Sequence, residues 1–324
     1  MKAVVYRRYG SPDVLELTEL PKPSPRDDEV LIRVRATTVT SADWRVRSLC
    51  LPKGFGPLAR LVFGISRPRQ PVLGTELAGD VEAVGKSVTK LKVGDRVFAF
   101  PGASLGAHAA YKCMRDSGAV APIPANLSYG EAAALSFGGT TALDFLRRAQ
   151  LKPGDAVLVN GASGSVGTAL VQLAKHVGAT VTAVCSANNL ELVRSLGATH
   201  ALDYTREDFT HGDTKYDIIA DCVGTAPYAR SRVALKDGGR LLLILASLYD
   251  LFPIPWVSLT TRHRILAGPS SERPEDLHTL ARLAQSGALR VVVGSTYPFE
   301  SIADAHRMVD TGHKRGNAVI TLDD

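Results

Sequence analysis

The stretch VLVNGASGSVGTALVQLAKHVGATVTAVCSANN, Val157 to Asn189, decides how this chain is read. Its apolar, β-branched opening suits a buried strand, assigned to Ala156–Asn160. Gly161, Gly164 and Gly167 then lead into a helix with Val166, Leu170, Leu173, Ala174 and Val177 on one face. A second strand is assigned to Thr180–Cys185. A glycine turn between a strand and a helix is the setting in which a dinucleotide is bound. Small residues admit the pyrophosphate close to the backbone, and the helix N-terminus offers unpaired N–H groups. Gly167 lets the helix lie close on the strand. The pattern is not strict, because Ala162 takes the first position. A plain tight connection is the alternative, and the flanking elements argue against it.

The second strand ends at Ser186, nineteen residues past Gly167. An acid there would bind both ribose hydroxyls and repel a 2′-phosphate. Ser186 is neutral, and Ala187, Asn188 and Asn189 follow it. The strand end therefore admits NADPH and favours it over NADH, though Ser186 could equally cap the next helix.

Outward from this stretch, the chain has 324 residues, enough for two domains, and its 45% apolar content can build a core for each. Strands expected at Ala201–Asp203, Ile218–Asp221, Arg240–Leu245 and Ile265–Ala267 alternate with helical patterns, which predicts a parallel sheet covered on both faces. Residues before Ile123 read instead as a curled β domain, with short strands punctuated by Gly79, Gly85 and Gly94. SYGEAAALSFGGTTALDFLRRA reads as a helix, with Ser128 and Glu131 at capping-box spacing. PEDLHTLARLAQSGAL reads as another, and the last strand, Asn317–Leu322, lies too far along the chain to be placed by pattern.

Composition excludes several classes. No apolar run is long enough to span a bilayer, and the N-terminus lacks a signal-peptide core, so a cytoplasmic protein without stable membrane insertion is expected. Cys50, Cys113, Cys185 and Cys222 form no C-x-x-C pair and are read as buried free thiols. The net charge of +6 carries no nucleic-acid motif with it, so no nucleic-acid partner is expected. Between Trp44 and Gln70, however, there are six basic residues and no acid. That segment reads as a solvated face or a cover over a pocket for a phosphate-bearing ligand. Within it Phe55–Ile65 is apolar and reads as a mobile lid, with a membrane-surface contact as a second reading. Leu248–Leu259 is also apolar, and reads as pocket wall, subunit contact or core. His108, His306 and His313 are not at metal-ligand spacing, and no Y-x-x-x-K pair is present.

The motifs VTSADWRVRS, GTELAGDVEAVG, VGDRVFAF, GGTTALDFL, LKPGDAVLVNGASGSVGTALVQLAK, LGATHALDY and HKRGNAVITL resemble the medium-chain dehydrogenase/reductase superfamily. The resemblance covers nearly the whole chain and is greatest to the zinc-free, zeta-crystallin-like quinone oxidoreductase branch. It implies an α/β fold: a doubly wound Rossmann sheet over 125–267, and a GroES-like β domain made of 1–124 and completed by 268–324. It implies that Ser163, Gly164, Ser165, Val166 and Gly167 hold the pyrophosphate, and that Thr140 approaches the nicotinamide ribose. Ser186 and Asn189 stand at the 2′-position, Tyr204 flanks the adenosine phosphate, and Val223, Gly224, Ala246 and Ser247 line the cofactor cleft. Gly316 and Asn317 are expected near the nicotinamide amide.

Three departures from the family pattern matter. Thr40, Thr75 and Ser136 stand where zinc-dependent relatives carry metal ligands, and the lobe with four clustered cysteines is missing, so no metal is expected. Asn188 and Asn189 replace the Lys or Arg that many NADPH-using relatives carry, which leaves NADH possible and makes Arg194 and Arg206 the candidate substitutes. Leu51 replaces a tyrosine that some quinone reductases place over the pocket. The implied reaction is zinc-independent hydride transfer from NADPH to a quinone or an α,β-unsaturated carbonyl. Thr40 and Asp43 are the candidates for pocket polarity and a water-borne proton; a turn or salt-bridge role is the alternative for Asp43. A homodimer is expected. The alternatives are a non-catalytic NADPH-binding partner protein and an alcohol dehydrogenase.

Overall fold

The structure is a computed structural model and describes residues 1–322. The opening stretch folds as its pattern requires. Strand β8 (Ala156–Asn160) runs through the glycine turn into helix α5 (Ser165–Val177) and on to β9 (Thr180–Cys185). With β10 (His200–Asp203), β11 (Tyr216–Asp221), β12 (Leu235–Leu243) and β13 (Arg264–Ala267) they form a six-stranded sheet in the order β10-β9-β8-β11-β12-β13. Every pairing in it is parallel. Val157, Leu158, Val159, Ile218, Ile219, Leu241 and Leu242 are fully buried, as expected of strands covered on both faces.

The second sheet is built from β3 (Glu29–Val39), β4 (Leu77–Val84), β5 (Arg96–Ala99), β6 (Tyr111–Arg115), β7 (Val120–Pro122), β14 (Val293–Pro298) and β15 (Asn317–Thr321). The last strand pairs antiparallel with β3, Ala318 opposite Val39 and Thr321 opposite Ala36. Residues from the two ends of the sequence thus share one sheet. A separate hairpin joins β1 (Lys2–Tyr6) to β2 (Leu15–Glu19).

Three details differ from the sequence reading. The segment after Ser128 is two helices, α3 (Tyr129–Ala133) and α4 (Ser136–Arg148), rather than one, although Ser128 and Glu131 do form the capping box. The strand placed at Arg240–Leu245 starts at Leu235, and its pairing with β11 shifts register between Tyr216 and Ile218. Among the cysteines expected to be buried, Cys185 is, Cys113 and Cys222 are partly buried, and Cys50, just past the left-handed residue Leu49 that ends helix α1 (Ser41–Ser48), is exposed.

Gly138 shows why α4 carries a glycine pair. A Cβ there would meet the Ser165 carbonyl oxygen at 2.5 Å, so α4 can cross the start of α5 only without a side chain. Between α1 and helix α11 (Ile302–Asp310), the fully buried Arg47 places Nη2 2.6 Å from both oxygens of Asp310 and donates Nη1 to the Gly10 carbonyl.

Beside this pair lies His306, with no exposure and with its ring edge-to-face to His108 at 5.6 Å. Neither ring nitrogen of His306 has a hydrogen-bond partner among the described residues. Burial, then the neighbouring His108 and Arg47, hold its pKa well below the usual histidine range. The folded protein therefore keeps His306 neutral, whereas the unfolded chain takes up a proton below about pH 6.5. Stability carried this way is present above that pH and drains as pH falls. His306→Leu should narrow the difference in Tm between pH 8 and pH 5 measured by differential scanning fluorimetry. A variant with the wild-type difference would show that His306 does not set acid sensitivity.

Candidate functional site

A cleft of about 830 Å³ opens at the C-terminal ends of β8 and β11, where the strand order reverses. Ligands of doubly wound sheets bind at this switch point because loops diverge there and helix N-termini converge. Ser163, Gly164, Ser165, Val166, Gly167, Ser186, Asn189, Tyr204 and Val223 all line the cleft.

The turn is shaped for backbone approach. A Cβ on Gly167 would lie 2.2 Å from the Gly161 carbonyl oxygen, so only glycine lets α5 sit this close to β8. Gly164 is different. It is the extended N-cap residue of α5, and a Cβ there would meet nothing closer than 3.7 Å. Its surroundings are open because it faces the cleft rather than the protein. Gly316 and Asn317 serve this turn directly: Gly316 N–H donates to the Ser163 carbonyl at 2.8 Å, and Ser165 Oγ donates to Asn317 Oδ1 at 2.6 Å. Asn317 Nδ2 in turn reaches the Val292 carbonyl.

Around the strand ends, Asn189 Nδ2 donates to Ser186 Oγ at 3.1 Å. Ser186 is the N-cap of a short turn, yet its side chain makes no capping hydrogen bond. Arg206 is largely exposed and sits 3.9 Å from Asp203, while Arg194 is exposed on helix α6 (Leu190–Ser195). Arg230 was missed by the sequence reading. It lines the cleft from helix α7 (Tyr228–Ser231), stacks over Phe209 and pairs with Asp208 at 3.1 Å. The loop carrying Val223 and Gly224 is fixed by buried Asp221, which accepts from Val223 N, Gly224 N, Ala226 N and Asn160 Nδ2.

Several expected residues stand behind the cleft wall. Thr140 is buried with its hydroxyl donated to the Ser136 carbonyl, and Thr141 lines the cleft in its place. Ser247 caps helix α8 (Leu248–Leu251) together with Asp250, and Ala246 packs among partly buried residues of the sheet core. Thr40 and Asp43 are fully buried. They form the capping box of α1: Asp43 Oδ2 accepts from Thr40 N and Oγ1, Thr40 Oγ1 accepts from Asp43 N, and Asp43 Oδ1 accepts Gly74 N. Both carboxylate oxygens are thus committed. Asp43 positions Thr40 and the Gly74 loop, which is the turn role rather than the salt-bridge role with Arg45 or Arg47. Ser41, Ala42, Trp44 and Arg45 of the same helix face the cleft.

Thr40 Oγ1 and Thr75 Oγ1 lie 3.4 Å apart, and buried Ser136 Oγ has no hydrogen-bond partner among the described residues. Neutral hydroxyls engaged with each other and with Asp43 do not make the thiolate and imidazole set that zinc takes. The described residues contain no group of three or more His, Cys, Asp or Glu that could hold a metal ion.

Two ionisable groups next to this hydroxyl set were also missed. Glu76 is fully buried, accepts from Thr38 Oγ1 and Phe137 N, and has its pKa pushed up to about 7 by burial. Lys314 lines the cleft, but its Nζ is out of reach of solvent and has no hydrogen-bond partner among the described residues. Burial lowers its pKa, opposed by the charges of Glu76 and Asp43. Glu76 therefore sits beneath a cleft wall that includes Phe137, whose backbone amide it holds. Its signal in the sequence was only the GTE motif, and nothing marks Lys314 apart from the neighbouring HKRGN residues.

Comparison with known proteins gives two family matches, to the alcohol dehydrogenase GroES-like domain over residues 26–143 and to zinc-binding dehydrogenases over 196–320. The chain is 34% identical to a 2-methylene-furan-3-one reductase of Solanum lycopersicum, covering 99% of this chain and 79% of the relative. It is 32% identical, with the same coverage, to the chloroplastic NADPH-dependent alkenal/one oxidoreductase of Arabidopsis thaliana. The quinone oxidoreductase of Coxiella burnetii superposes with a TM-score of 0.87 at 28% identity, covering 100% of this chain and 99% of that one.

The two glycines of the turn make separable predictions. Gly164→Asp places a carboxylate in open space where a pyrophosphate would sit, so the variant should keep its Tm while NADPH affinity by calorimetry falls at least about tenfold, roughly 1.4 kcal/mol. Gly167→Ala should instead lower Tm, because its Cβ meets backbone. Unchanged NADPH affinity in folded Gly164→Asp would remove the turn from the cofactor site.

Proposed function

Since the chain belongs to the medium-chain dehydrogenase/reductase superfamily, in its quinone oxidoreductase branch, we propose that it reduces quinones or α,β-unsaturated carbonyl compounds without a metal, using NADPH in preference to NADH. The observation that carries this reading is the pairing of a glycine turn open at Gly164 with a hydroxyl set at Thr40, Thr75 and Ser136. The turn has room for a dinucleotide pyrophosphate, while the hydroxyl set lacks the charge to polarise an alcohol for oxidation. An electron-poor π system needs no such polarisation to accept a hydride.

The reduced nicotinamide would supply that hydride. The residues to hold it are the N–H groups at the start of α5, with Ser186, Asn189 and Tyr204 towards the adenosine end and Val223 along the cleft wall. The remainder of the protein's contribution is positioning, which can lower a barrier by on the order of 7–11 kcal/mol. Asp43 acts in that way by fixing Thr40 and the Gly74 loop. Glu76 acts in the same way, fixing Thr38 and the Phe137 amide behind the cleft wall.

A panel of quinones and enones, assayed with NADPH, tests the activity. Activity on the best substrate should survive chelator treatment. Stoichiometric zinc in the purified protein, with turnover lost on its removal, would overturn the metal-free reading, and NADPH binding without turnover across the panel would favour a binding protein.

Cofactor choice is tested separately. Absence of an acid at Ser186 admits a 2′-phosphate, but attraction needs a cation, and Arg206 and Arg194 are exposed nearby. A charge-assisted hydrogen bond of this kind contributes roughly 1.5–3 kcal/mol. The kcat/KM ratio should favour NADPH about ten- to a hundredfold, reverse in Ser186→Asp, and flatten in Arg206→Ala or Arg194→Ala. Equal use of NADH by the wild type would make Ser186 indifferent to the 2′-phosphate.

A further inference from the structure

Helix α2 (Gly56–Phe63) buries only Ala59 among its residues. Leu58, Leu61, Val62 and, just past the helix, Ile65 follow at helical spacing and face solvent. Helices α8 and α9 (Ile254–Thr260) repeat the arrangement. Tyr249 on α8, Phe252 at its end, and Trp256 and Leu259 on α9 all face solvent, and Val257 is the buried residue of α9. All eight side chains are 54–84% exposed. The two segments meet at their starts, since Leu248 N–H donates to the Lys53 carbonyl at 2.9 Å and Leu248 packs where a Cβ on Gly54 would fall. Monomeric proteins seldom leave this many large apolar side chains exposed in neighbouring segments unless something covers them.

The charge beside this surface is of one sign. Lys53, Arg60, Arg67 and Arg69 are exposed, the segment from Trp44 to Gln70 holds no acid, and no carboxylate among the described residues forms an ion pair with these four cations. The acid on α8, Asp250, is spent on the Ser247 cap. The cleft is adjacent, because Arg45 on the helix preceding α2 and Leu245 just before α8 both line it.

We propose that these two helix faces dock the protein on an anionic lipid bilayer. Trp, Tyr, Phe and Leu side chains flanked by Arg and Lys are the composition of surfaces that rest in the headgroup region, with the apolar groups below and the cations at the phosphates. No helix among the described residues is long and apolar enough to cross a membrane, so the attachment is peripheral. Binding itself needs no catalysis. Its use, drawing quinones or enones from the bilayer into the adjoining cleft, rests on the reductase reading above.

The test is co-sedimentation of the full chain with vesicles of phosphatidylcholine, with and without phosphatidylserine. The wild type should pellet with the anionic vesicles and be released by salt or by omitting phosphatidylserine. Arg67→Glu combined with Arg69→Glu, and separately Leu61→Gln combined with Trp256→Gln, should each weaken partitioning about tenfold or more. Both double variants should keep the wild-type Tm, which shows that they fold, and turnover of a water-soluble quinone should stay at wild-type level. Failure to pellet, or binding indifferent to Leu61 and Trp256, overturns the proposal. So does a solution dimer that the Leu61 and Trp256 substitutions dissolve, since the face would then cover a second copy. Vesicle binding by a protein that reduces no quinone or enone would leave the docking surface standing and remove the reductase reading.

Discussion

The amide of Gly316 donating to the carbonyl of Ser163 is the contact on which the site depends. It joins the segment that starts the last strand of one sheet to the turn that leaves the first strand of the other. A single backbone hydrogen bond contributes only about 0.5–1.5 kcal/mol. This one is reinforced by the Ser165–Asn317 bond and by Asn317 reaching the Val292 carbonyl, so three bonds hold one corner. The Gly138 contact with Ser165 fixes the same corner from another side. The glycine turn is thereby held in shape before any ligand arrives, and the cleft between the two sheets keeps its mouth.

Much of the fold was legible because it is periodic. The β8–α5–β9 unit carries its strand, turn and helix signals within about thirty residues, and β8 and β9 were placed to the residue. The start of β12 was not, because its pairing with β11 shifts register and Gly238 and Gly239 lie within it. The break between α3 and α4 carries no Pro or Gly, so local propensity did not announce it. The pairing of β15 with β3 is non-local, and only resemblance to a family pointed to it.

The candidate site was less legible, for a physical reason. Residues that line the cleft through backbone or small side chains, such as Gly164 and Ser186, follow from local pattern. Residues whose chemistry depends on burial do not. Glu76 in GTE looks like any surface glutamate until Thr38 and Phe137 are seen donating to it in a closed environment. Asp43 has the opposite history: it looked available for proton chemistry, and its hydrogen bonds show a carboxylate already engaged with Thr40 and Gly74. Thr40, Thr75 and Ser136 contribute only hydroxyls to this corner, and burial beside them pushes the Glu76 carboxyl up and the Lys314 ammonium down.

The antiparallel pairing of Ala318 with Val39 carries a consequence for biosynthesis. A ribosome delivers β3 well before β15, with the whole parallel sheet made in between. Until β15 emerges, the Ala36–Val39 end of β3, beyond the part that β6 covers, lacks its partner, while β8 to β13 can pair among themselves as they appear. The sheet that holds β3 and β15 therefore closes only after the parallel sheet between β7 and β14 has been made. Until then its open edge is the part of the nascent chain most prone to wrong pairing, and the part that a chaperone would have most reason to cover.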